Sequence, residues 1–376
     1  AFLAQVTYPL SVRSSSLLED AQFQPYAGLY DTCMIPNNHP DPAVRRDQLL
    51  RAVKLVYAST FYEGPRTFAR TTAAQPQQES MAVVVQELAG AVCGDTFYPA
   101  ISGVAQSQNF YPVAGMRPEE GIAHIAMGIG KTVVEGERTL RFAPRYPEVL
   151  PQFAGVQETL DNAQRTFYAL PMVPGGEGPA FGAMTNLVRR QVEDAEHEAP
   201  VRMLASTFIP EENRIRDSGY LEGPKVLTFA AVLKYDLFPL PGLLQELLEI
   251  CRRGMGYPIE IEFAVNLQTD RRRPHEFFFL QLRPMASGEH LQEVRIGPAD
   301  EAAAFCRSGL VLGNGVIETI ADVVFVKPEA FQAGATARMA EEIGSLNRGL
   351  SAARRPYLLV GPGRWGSSDP WLGIPV

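Results

Sequence analysis

Two segments of the chain alternate between apolar and polar side chains, and this pattern limits the folds open to it. They read Ile259-Glu260-Ile261-Glu262-Phe263 and Leu280-Gln281-Leu282-Arg283-Pro284. Because successive side chains of a β-strand point to opposite faces, each segment predicts a strand with one apolar and one polar face. If the strands pair as an antiparallel hairpin, their polar side chains share one surface above an apolar floor.

The polar face of this hairpin carries residue types that suit a metal and phosphate site. Glu260 and Glu262 lie about 7 Å apart, two strand rises, so their charges repel unless a cation is near. Magnesium prefers oxygen ligands, which Glu262 and Gln281 supply, and the planar fork of Arg283 suits a phosphate. An ordinary half-exposed hairpin with a Glu–Arg cross-strand pair explains the same alternation, so both interpretations stay open here.

A second group of phosphate-binding residue types lies much earlier in the sequence. Arg13 is followed by Ser14-Ser15-Ser16, so a guanidinium and hydroxyls can meet phosphate oxygens. Ser16-Leu17-Leu18-Glu19 also fits a capping box that starts a helix, and since helix N-termini bind anions, both interpretations can hold together. Further along, Gly28 and Thr32 suit a second phosphate-facing loop, although a simple turn explains them as well.

Length and charge narrow the class of protein. A chain of 376 residues is too long for one ordinary core, so two or three packed units are expected. The net charge of −8, without a basic stripe, argues against nucleic acid as the main partner. No apolar run reaches membrane-spanning length and no signal peptide is recognisable, so no membrane partner is expected. The cysteines lack C-x-x-C spacing and predict reduced thiols in a cytoplasmic protein: Cys33, Cys93, Cys251 and Cys306.

Local patterns predict a mixture of helices and strands, and hence an α+β chain. Asp41 and Pro42 fit the start of a helix over 42–58, and apolar spacing predicts another over 241–253, with Gly254 as its C-cap. A continuous apolar run over 81–85 predicts a strand that is buried on both faces. Further strands are predicted at 101–106, where Gly103 indicates close packing or a bend, and at 323–326 and 357–360, with a helix near 335–350.

Taken in order, these motifs resemble the nucleotide-binding domain of the phosphoenolpyruvate synthase and pyruvate phosphate dikinase family, an ATP-grasp fold. The resemblance covers about residues 5–286 and runs through Val12-Arg13-Ser14-Ser15 with Glu19-Asp20, Ala27-Gly28 with Thr32, Met81–Gln86, Ser102–Ala105, Gly128-Ile129-Gly130 with Val133-Val134 and Gly136, Glu260–Phe263 and Gln281–Pro284. It implies an ATP-grasp-like region over 1–286, with a polar, loop-like insertion at about 185–225. A C-terminal α/β extension of unassigned role would occupy 287–376.

The resemblance implies a role for each matching residue. Arg13 and Arg283 would be the catalytic groups that neutralise β- and γ-phosphate oxygens, and Gly28 and Thr32 would touch the γ-phosphate. The hinge whose backbone meets the adenine edge would consist of Gln86, Glu87 and Leu88. The cofactors would be ATP and Mg²⁺, and the metal-ligating group would consist of Glu262 and Gln281, with Glu260 beside them. Transfer would rest on positioning and charge neutralisation.

The function implied is that of a Mg-ATP-binding phosphotransferase domain of a pyruvate water dikinase-like enzyme. It would pass a phosphoryl group from ATP to a histidine on another domain or partner. One alternative is a non-catalytic ATP-binding regulatory module. The other is a small-molecule kinase of the antibiotic-modifying type, whose acceptor also lies outside this chain.

The sequence also departs from the family pattern. The family's phosphate-binding lysine precedes the V-R-S-S motif, and this sequence starts after that point. The sequence also stops on the apolar segment Trp371–Val376 without a polar tail, so we expect a chain truncated at both ends. Lys131 stands where the family often has glutamate. No histidine has the Thr/Gly-rich context of the family's phosphate carrier, so each is expected to be structural or on the surface: His39, His124, His197, His275 and His290. The missing lysine and histidine favour the regulatory alternative.

Overall fold

The computed structural model describes residues 2–16, 30–62, 81–110, 112–113, 115–134, 136–172, 186–270, 272–285, 296–308, 316–365 and 373–375. The chain divides into two compact units, one comprising Ala1–Glu289 with Leu310–Gly313 and the other His290–Gly309 with Asn314–Val376. Helices and several antiparallel sheets make up the first unit, which confirms the predicted α+β class. No described helix is long and apolar enough to cross a membrane.

The first unit begins with a three-stranded antiparallel sheet that packs against one long helix. Its strands are β1 (Leu10–Ser16), β2 (Thr32–Ile35) and β3 (Met81–Glu87), in the order β2-β1-β3. A short helix, α1 (Phe2–Gln5), precedes them, and α2 (Pro42–Ser59) covers one face of the sheet. As predicted, Asp41 caps α2 by accepting the Ala43 N–H at 2.8 Å. Leu55 and Val56 of α2 are buried against Val12 and Ile35.

The prediction that the strand at 81–85 is buried on both faces was wrong. No residue of β3 is buried, and the adjacent Val84 and Val85 are 41% and 37% exposed. The strand lies at the edge of its sheet, and α2 covers β1 and β2 more fully than β3. A continuous apolar run therefore reflects β propensity here and not burial on both faces.

A five-stranded antiparallel sheet forms the centre of the first unit. Its order is β15-β14-β6-β7-β8, and its strands are β6 (Ile101–Gln106), β7 (Ile122–Ala126), β8 (Leu140–Phe142), β14 (Ile259–Asn266) and β15 (Glu276–Pro284). The predicted hairpin is confirmed, since β14 pairs with β15 in antiparallel register. On the apolar face Ile259, Ile261 and Phe263 are almost fully buried in the main core, which also contains Leu244 and Leu248 of the helix α7 (Leu240–Met255).

Helix α7 ends later than its sequence predicts. The expected C-cap was Gly254, but the helix continues to Met255, and Gly256 takes the left-handed conformation with φ of 78°. The Gly256 N–H then donates to the Arg252 carbonyl at 2.9 Å. Both glycines permit a cap, and the half-buried Met255 packs against the main core, so the extra helical residue adds apolar contact.

Shorter elements complete the first unit. One sheet has the order β10-β9-β5-β4 and contains β4 (Ala91–Cys93), β5 (Thr96–Tyr98), β9 (Thr166–Pro171) and β10 (Val188–Gln191). Another has the order β12-β11-β13 and contains β11 (Ala205–Ile209), β12 (Arg214–Arg216) and β13 (Lys225–Leu227). The short helices are α3 (Lys131–Val134), α4 (Val156–Asn162), α5 (Ala199–Leu204) and α6 (Ala230–Leu233). The stretch 185–225, predicted to be loop-like, holds several of these elements, which are too short to show a clear period.

The second unit has a strand–helix–strand arrangement. Strand β16 (Asp322–Phe325) pairs in parallel with β17 (Tyr357–Val360), and α9 (Thr336–Ala352) lies between them in the chain. A second parallel pair joins β18 (Arg364–Trp365) to β19 (Gly373–Ile374), and α8 (Pro298–Ala303) precedes β16. Parallel pairing through a helical connection agrees with the α/β character predicted for the C-terminal extension.

Candidate functional site

The face of the five-stranded sheet opposite the main core carries aligned polar side chains. In the hairpin Glu260 is opposite Arg283 and Glu262 is opposite Gln281. On the other side of β14, Glu260 is opposite Gln106 of β6. Because cross-strand partners point to the same face, these side chains share one surface, as the alternation in the hairpin predicts.

Arg283 holds the two carboxylates of this surface together. Its Nε and Nη2 lie 2.7 and 2.5 Å from Oε1 of Glu260, and Nη2 lies 3.2 Å from Oε1 of Glu262. The Gln106 amide donates to the other Glu260 oxygen at 2.6 Å. The side chains of Arg283, Glu260 and Glu262 are 18%, 15% and 19% exposed, so water screens their charges only partly. Both Glu260 oxygens are engaged, whereas the second Glu262 oxygen has no hydrogen-bond partner among the described residues.

A guanidinium from the first sheet reaches this surface. Arg13 in β1 donates through Nη2 to the Gln281 side-chain oxygen, and these residues lie 268 positions apart in the sequence. Thr32 of β2 is the cross-strand partner of Arg13 and is half-buried. The structure thus brings Arg13 to Gln281 of the hairpin, and Thr32 lies beside Arg13 in the first sheet. Gly28 lies outside the described residues.

The predicted hinge lies at the end of β3, and its three residues differ in orientation. Gln86 is opposite Ser11 in β1. Ser11 and Arg13 are two positions and about 7 Å apart along β1, so Gln86 and Arg13 lie on the same face of the sheet, the open face that α2 does not cover. Glu87 is opposite Leu10 on the other face and is exposed. The Leu88 N–H donates to the Pro9 carbonyl at 2.9 Å, and its side chain packs against the main core.

The glycine turn after β7 is held against β9. The Ile129 N–H donates to the Tyr168 carbonyl at 2.9 Å, and a Cβ on Gly128 would lie 2.8 Å from that same oxygen. Lys131 begins α3, and its Nζ lies 5.2 Å from the centroid of the Tyr168 ring, in a cation–π contact. The residue that departs from the family pattern is therefore fixed on an aromatic face.

Sequence reasoning missed two residues of the polar face, Gln106 and His124. Gln106 ends a strand that was recognised, but its partner Glu260 is 154 positions away, so no local pattern connects them. His124 of β7 is opposite Val104, which is opposite Glu262, so its imidazole lies on the same face. Burial lowers the pKa of His124, the positive charge of Arg141 lowers it further, and the negative charge of Glu260 opposes both.

The oxygen atoms of this surface fit a magnesium ion. Among the residues that the structure describes, no three His, Cys, Asp or Glu side chains cluster as metal ligands. The oxygen set is of another kind, two carboxylates and the Gln281 amide oxygen that also accepts from Arg13, and hard cations accept such oxygens. Glu262 is the best placed of the carboxylates, because one of its oxygens has no partner among the described residues.

The comparison with protein families agrees with this geometry. Residues 2–302 match the family model described as pyruvate phosphate dikinase, AMP/ATP-binding domain. No curated protein matches the chain. The matched range contains both Arg13 and the hairpin that it meets, together with the sheets between them. More than half of the chain is covered, and its α+β sheets are consistent with an ATP-grasp-like nucleotide-binding domain. The chain therefore belongs to the AMP/ATP-binding domain family of the phosphoenolpyruvate synthase and pyruvate phosphate dikinase proteins.

Proposed function

We propose that the polar face of the five-stranded sheet binds Mg-ATP, and that the chain passes a phosphoryl group to a histidine on another domain or partner. Membership of the family establishes a nucleotide-binding phosphotransferase class with ATP as ligand. The observation that carries the finer proposal is the Arg13–Gln281 hydrogen bond, which joins the first sheet to the hairpin beside Arg283 and Glu262. Such a surface offers positive charge and oxygen ligands at one place.

Arg13 and Arg283 are the groups that we assign to phosphate oxygens. Both present a guanidinium whose planar fork matches phosphate geometry. Thr32 adds a hydroxyl beside Arg13. Gln86 lies further along the same open face, and we assign its backbone and side chain to the nucleotide base. In this assignment the triphosphate spans both sheets, and catalysis comes from charge neutralisation and alignment.

Glu262 and Gln281 are the side chains that would hold magnesium. When bound, the ion would neutralise phosphate charge and orient the oxygens to which it is coordinated. We assign Glu260 chiefly to positioning, because both of its oxygens are engaged by Arg283 and Gln106. That network fixes the direction of the Arg283 guanidinium, so the charge that meets the phosphate is pre-organised.

Calorimetric titration with a non-hydrolysable ATP analogue, with and without magnesium, tests the proposal. We expect magnesium-dependent binding, and Glu262→Gln should weaken it roughly tenfold, about 1.4 kcal/mol, by removing a charged metal ligand while keeping its shape. Glu276→Gln is the matched control, because Glu276 is an exposed acid at the turn end of the same hairpin. Its affinity should equal that of the wild type.

Two outcomes would count against the proposal. Unchanged affinity in a folded Glu262→Gln variant would remove Glu262 from the metal site. Magnesium-dependent binding without any ATP turnover in the presence of the phosphate-accepting histidine domain or partner would instead favour a non-catalytic regulatory module.

A further inference from the structure

A separate cavity lies at the turn end of the same hairpin. Its volume is about 680 Å³, and its walls come from α5, the turn after β12, α6 and the hairpin turn between β14 and β15. About 14 Å of strand separates Glu262 from Asn266, where β14 ends before this turn, at about 3.4 Å per residue. None of the residues assigned to ATP or magnesium lines the cavity.

Two arginines line this cavity from different elements. Arg202 lies on α5 and Arg273 lies in the hairpin turn. Both residues are exposed, and neither guanidinium has a hydrogen bond or ion pair within the described part of the chain. Single exposed arginines are usually just solvated. Here two of them converge on one concave surface, where their charges reinforce each other.

A histidine supplies an oriented donor to the same cavity. His275 Nδ1 accepts the Gln268 backbone N–H at 3.0 Å, so in the neutral ring the proton is on Nε2. Phe238 packs edge-on against the imidazole, with the ring centroids 6.1 Å apart. These two contacts fix the ring, and both His275 and Gln268 line the cavity.

The acidic residue that lines the cavity, Asp217, is already paired with other side chains. Asp217 accepts from Lys234 Nζ at 3.1 Å and from the Tyr235 hydroxyl at 3.2 Å through one oxygen. Ser206 donates to its other oxygen at 3.1 Å. The cavity therefore keeps the positive charge of the two arginines. The nearby acids of the hairpin, Asp270 and Glu276, do not line it.

The rest of the lining includes apolar surface. Met203, Ala231 and Leu237 contribute it from α5, α6 and the segment after α6. Ligand sites commonly combine such apolar walls with a few oriented polar groups. The combination of two guanidinium groups, one ring N–H and an apolar wall selects a ligand with an anionic head and an apolar body.

We propose that this cavity is a second ligand site, which binds a small organic anion through Arg202, Arg273 and His275. The head of the ligand is a carboxylate or a phosphate monoester, since both accept the parallel N–H groups of a guanidinium. Its apolar body lies against Met203 and Leu237. The proposal does not depend on ATP binding, because the two sites share no residue.

Titration of the whole chain with phenyl phosphate, benzoate and benzyl alcohol tests this site. The two anions should bind, the neutral alcohol should bind at least tenfold more weakly, and the tighter of the two anions identifies the preferred head. Arg202→Gln and Arg273→Gln should each weaken anion binding about tenfold, the usual size of a lost charge-assisted contact. Arg214→Gln should leave it unchanged, because Arg214 is an exposed arginine on β12 that does not line the cavity.

A further variant separates this site from the nucleotide site. Phenyl phosphate carries the same head as a nucleotide, so the titration is repeated with Arg283→Gln, which should bind the probe as the wild type does. Loss of binding in Arg283→Gln but not in Arg202→Gln or Arg273→Gln would overturn the proposal. Equal affinity for benzyl alcohol and the two anions would overturn it as well. A cooperative thermal unfolding transition above the temperature of the titration confirms that each variant is folded.

Discussion

At the scale of single residues, the site depends on charges that are only partly in water. Glu260, Glu262 and Arg283 are each less than 20% exposed, so the attraction between their charges is stronger than in a pair on the surface. Removing one partner leaves the other with an unbalanced charge or an unused donor. Exposed pairs elsewhere in the chain, such as Arg252–Glu249 on α7, are screened by solvent.

Glu260→Gln should therefore reduce stability more than the same change in an exposed pair. The variant loses a charge that both Arg283 and Gln106 contact, and we expect a decrease of about 1–3 kcal/mol in the free energy of unfolding. Glu249→Gln, the control on α7, should cost much less, because solvent screens that exposed pair. Urea unfolding of both variants measures the difference, and equal costs would contradict the special role of the Glu260 network.

The buried thiol of Cys33 should make stability depend on alkaline pH. Burial, and then the negative charge of Asp31, raise the pKa of Cys33 from 9.0 to about 11. Between these values the unfolded chain loses the proton and the folded chain keeps it, so the unfolded state binds fewer protons and stability falls as pH rises. The slope from this one group approaches about 1.4 kcal/mol per pH unit.

Urea unfolding at intervals between pH 8 and pH 11 checks this prediction against Cys33→Ala. The variant lacks the titrating group, so its stability should fall less steeply over that range. The comparison uses slopes, because the substitution also changes packing at every pH. Parallel slopes for the two proteins would show that Cys33 does not titrate as its burial implies.

At the scale of elements, a period-two pattern predicted burial correctly where one face of the strand is covered by the core. The sequence did not show which distant strands lie next to each other. The hairpin was predicted because Ile259, Ile261 and Phe263 alternate with polar residues, and the core buries them as expected. In β3 the apolar run gave no information about its neighbours, so burial of Val85 was wrongly expected. Gln106 could not be assigned, since its role appears only when β6 lies beside β14.

Substitution of Gly103 by alanine tests how tightly the central sheet is packed. A Cβ at this position would lie 2.4 Å from Phe263 Cζ and 2.8 Å from the His124 carbonyl oxygen. Gly103→Ala must displace a buried ring and a backbone atom, which we expect to cost about 1–3 kcal/mol. This agrees with the close packing that the sequence indicated.

Gly254→Ala is the matched control for Gly103→Ala. Gly254 lies within helix α7, and a Cβ at this position would meet no atom within 4 Å apart from its chain neighbours and the nearby backbone of its own helix. Alanine should raise stability there by up to about 1 kcal/mol, because it is the better helix former. Thermal unfolding of the two variants should move in opposite directions, and a stabilised Gly103→Ala would contradict the packing argument.

At the scale of the whole molecule, the sequence predicted the class and the family, but not how the parts meet. The order of the motifs from Arg13 to Arg283 identified the nucleotide-binding region, and the matched residues 2–302 agree with it. Only the resemblance predicted that Arg13 and Gln281 belong to one site, because no rule of sequence spacing connects residues so far apart. The cavity beside Arg202 and Arg273 gave no sequence signal, since its walls come from four short segments.

The Arg13–Gln281 contact also has a consequence for synthesis on the ribosome. The two residues are 268 positions apart, so the first partner leaves the exit tunnel long before the second is polymerised. At about 5–20 residues per second, that interval is on the order of tens of seconds. During it, α2 and the three strands of the first sheet can fold on their own core, while Arg13 stays hydrated. A nascent chain therefore acquires the proposed nucleotide surface late, only once the last strand of the hairpin has emerged.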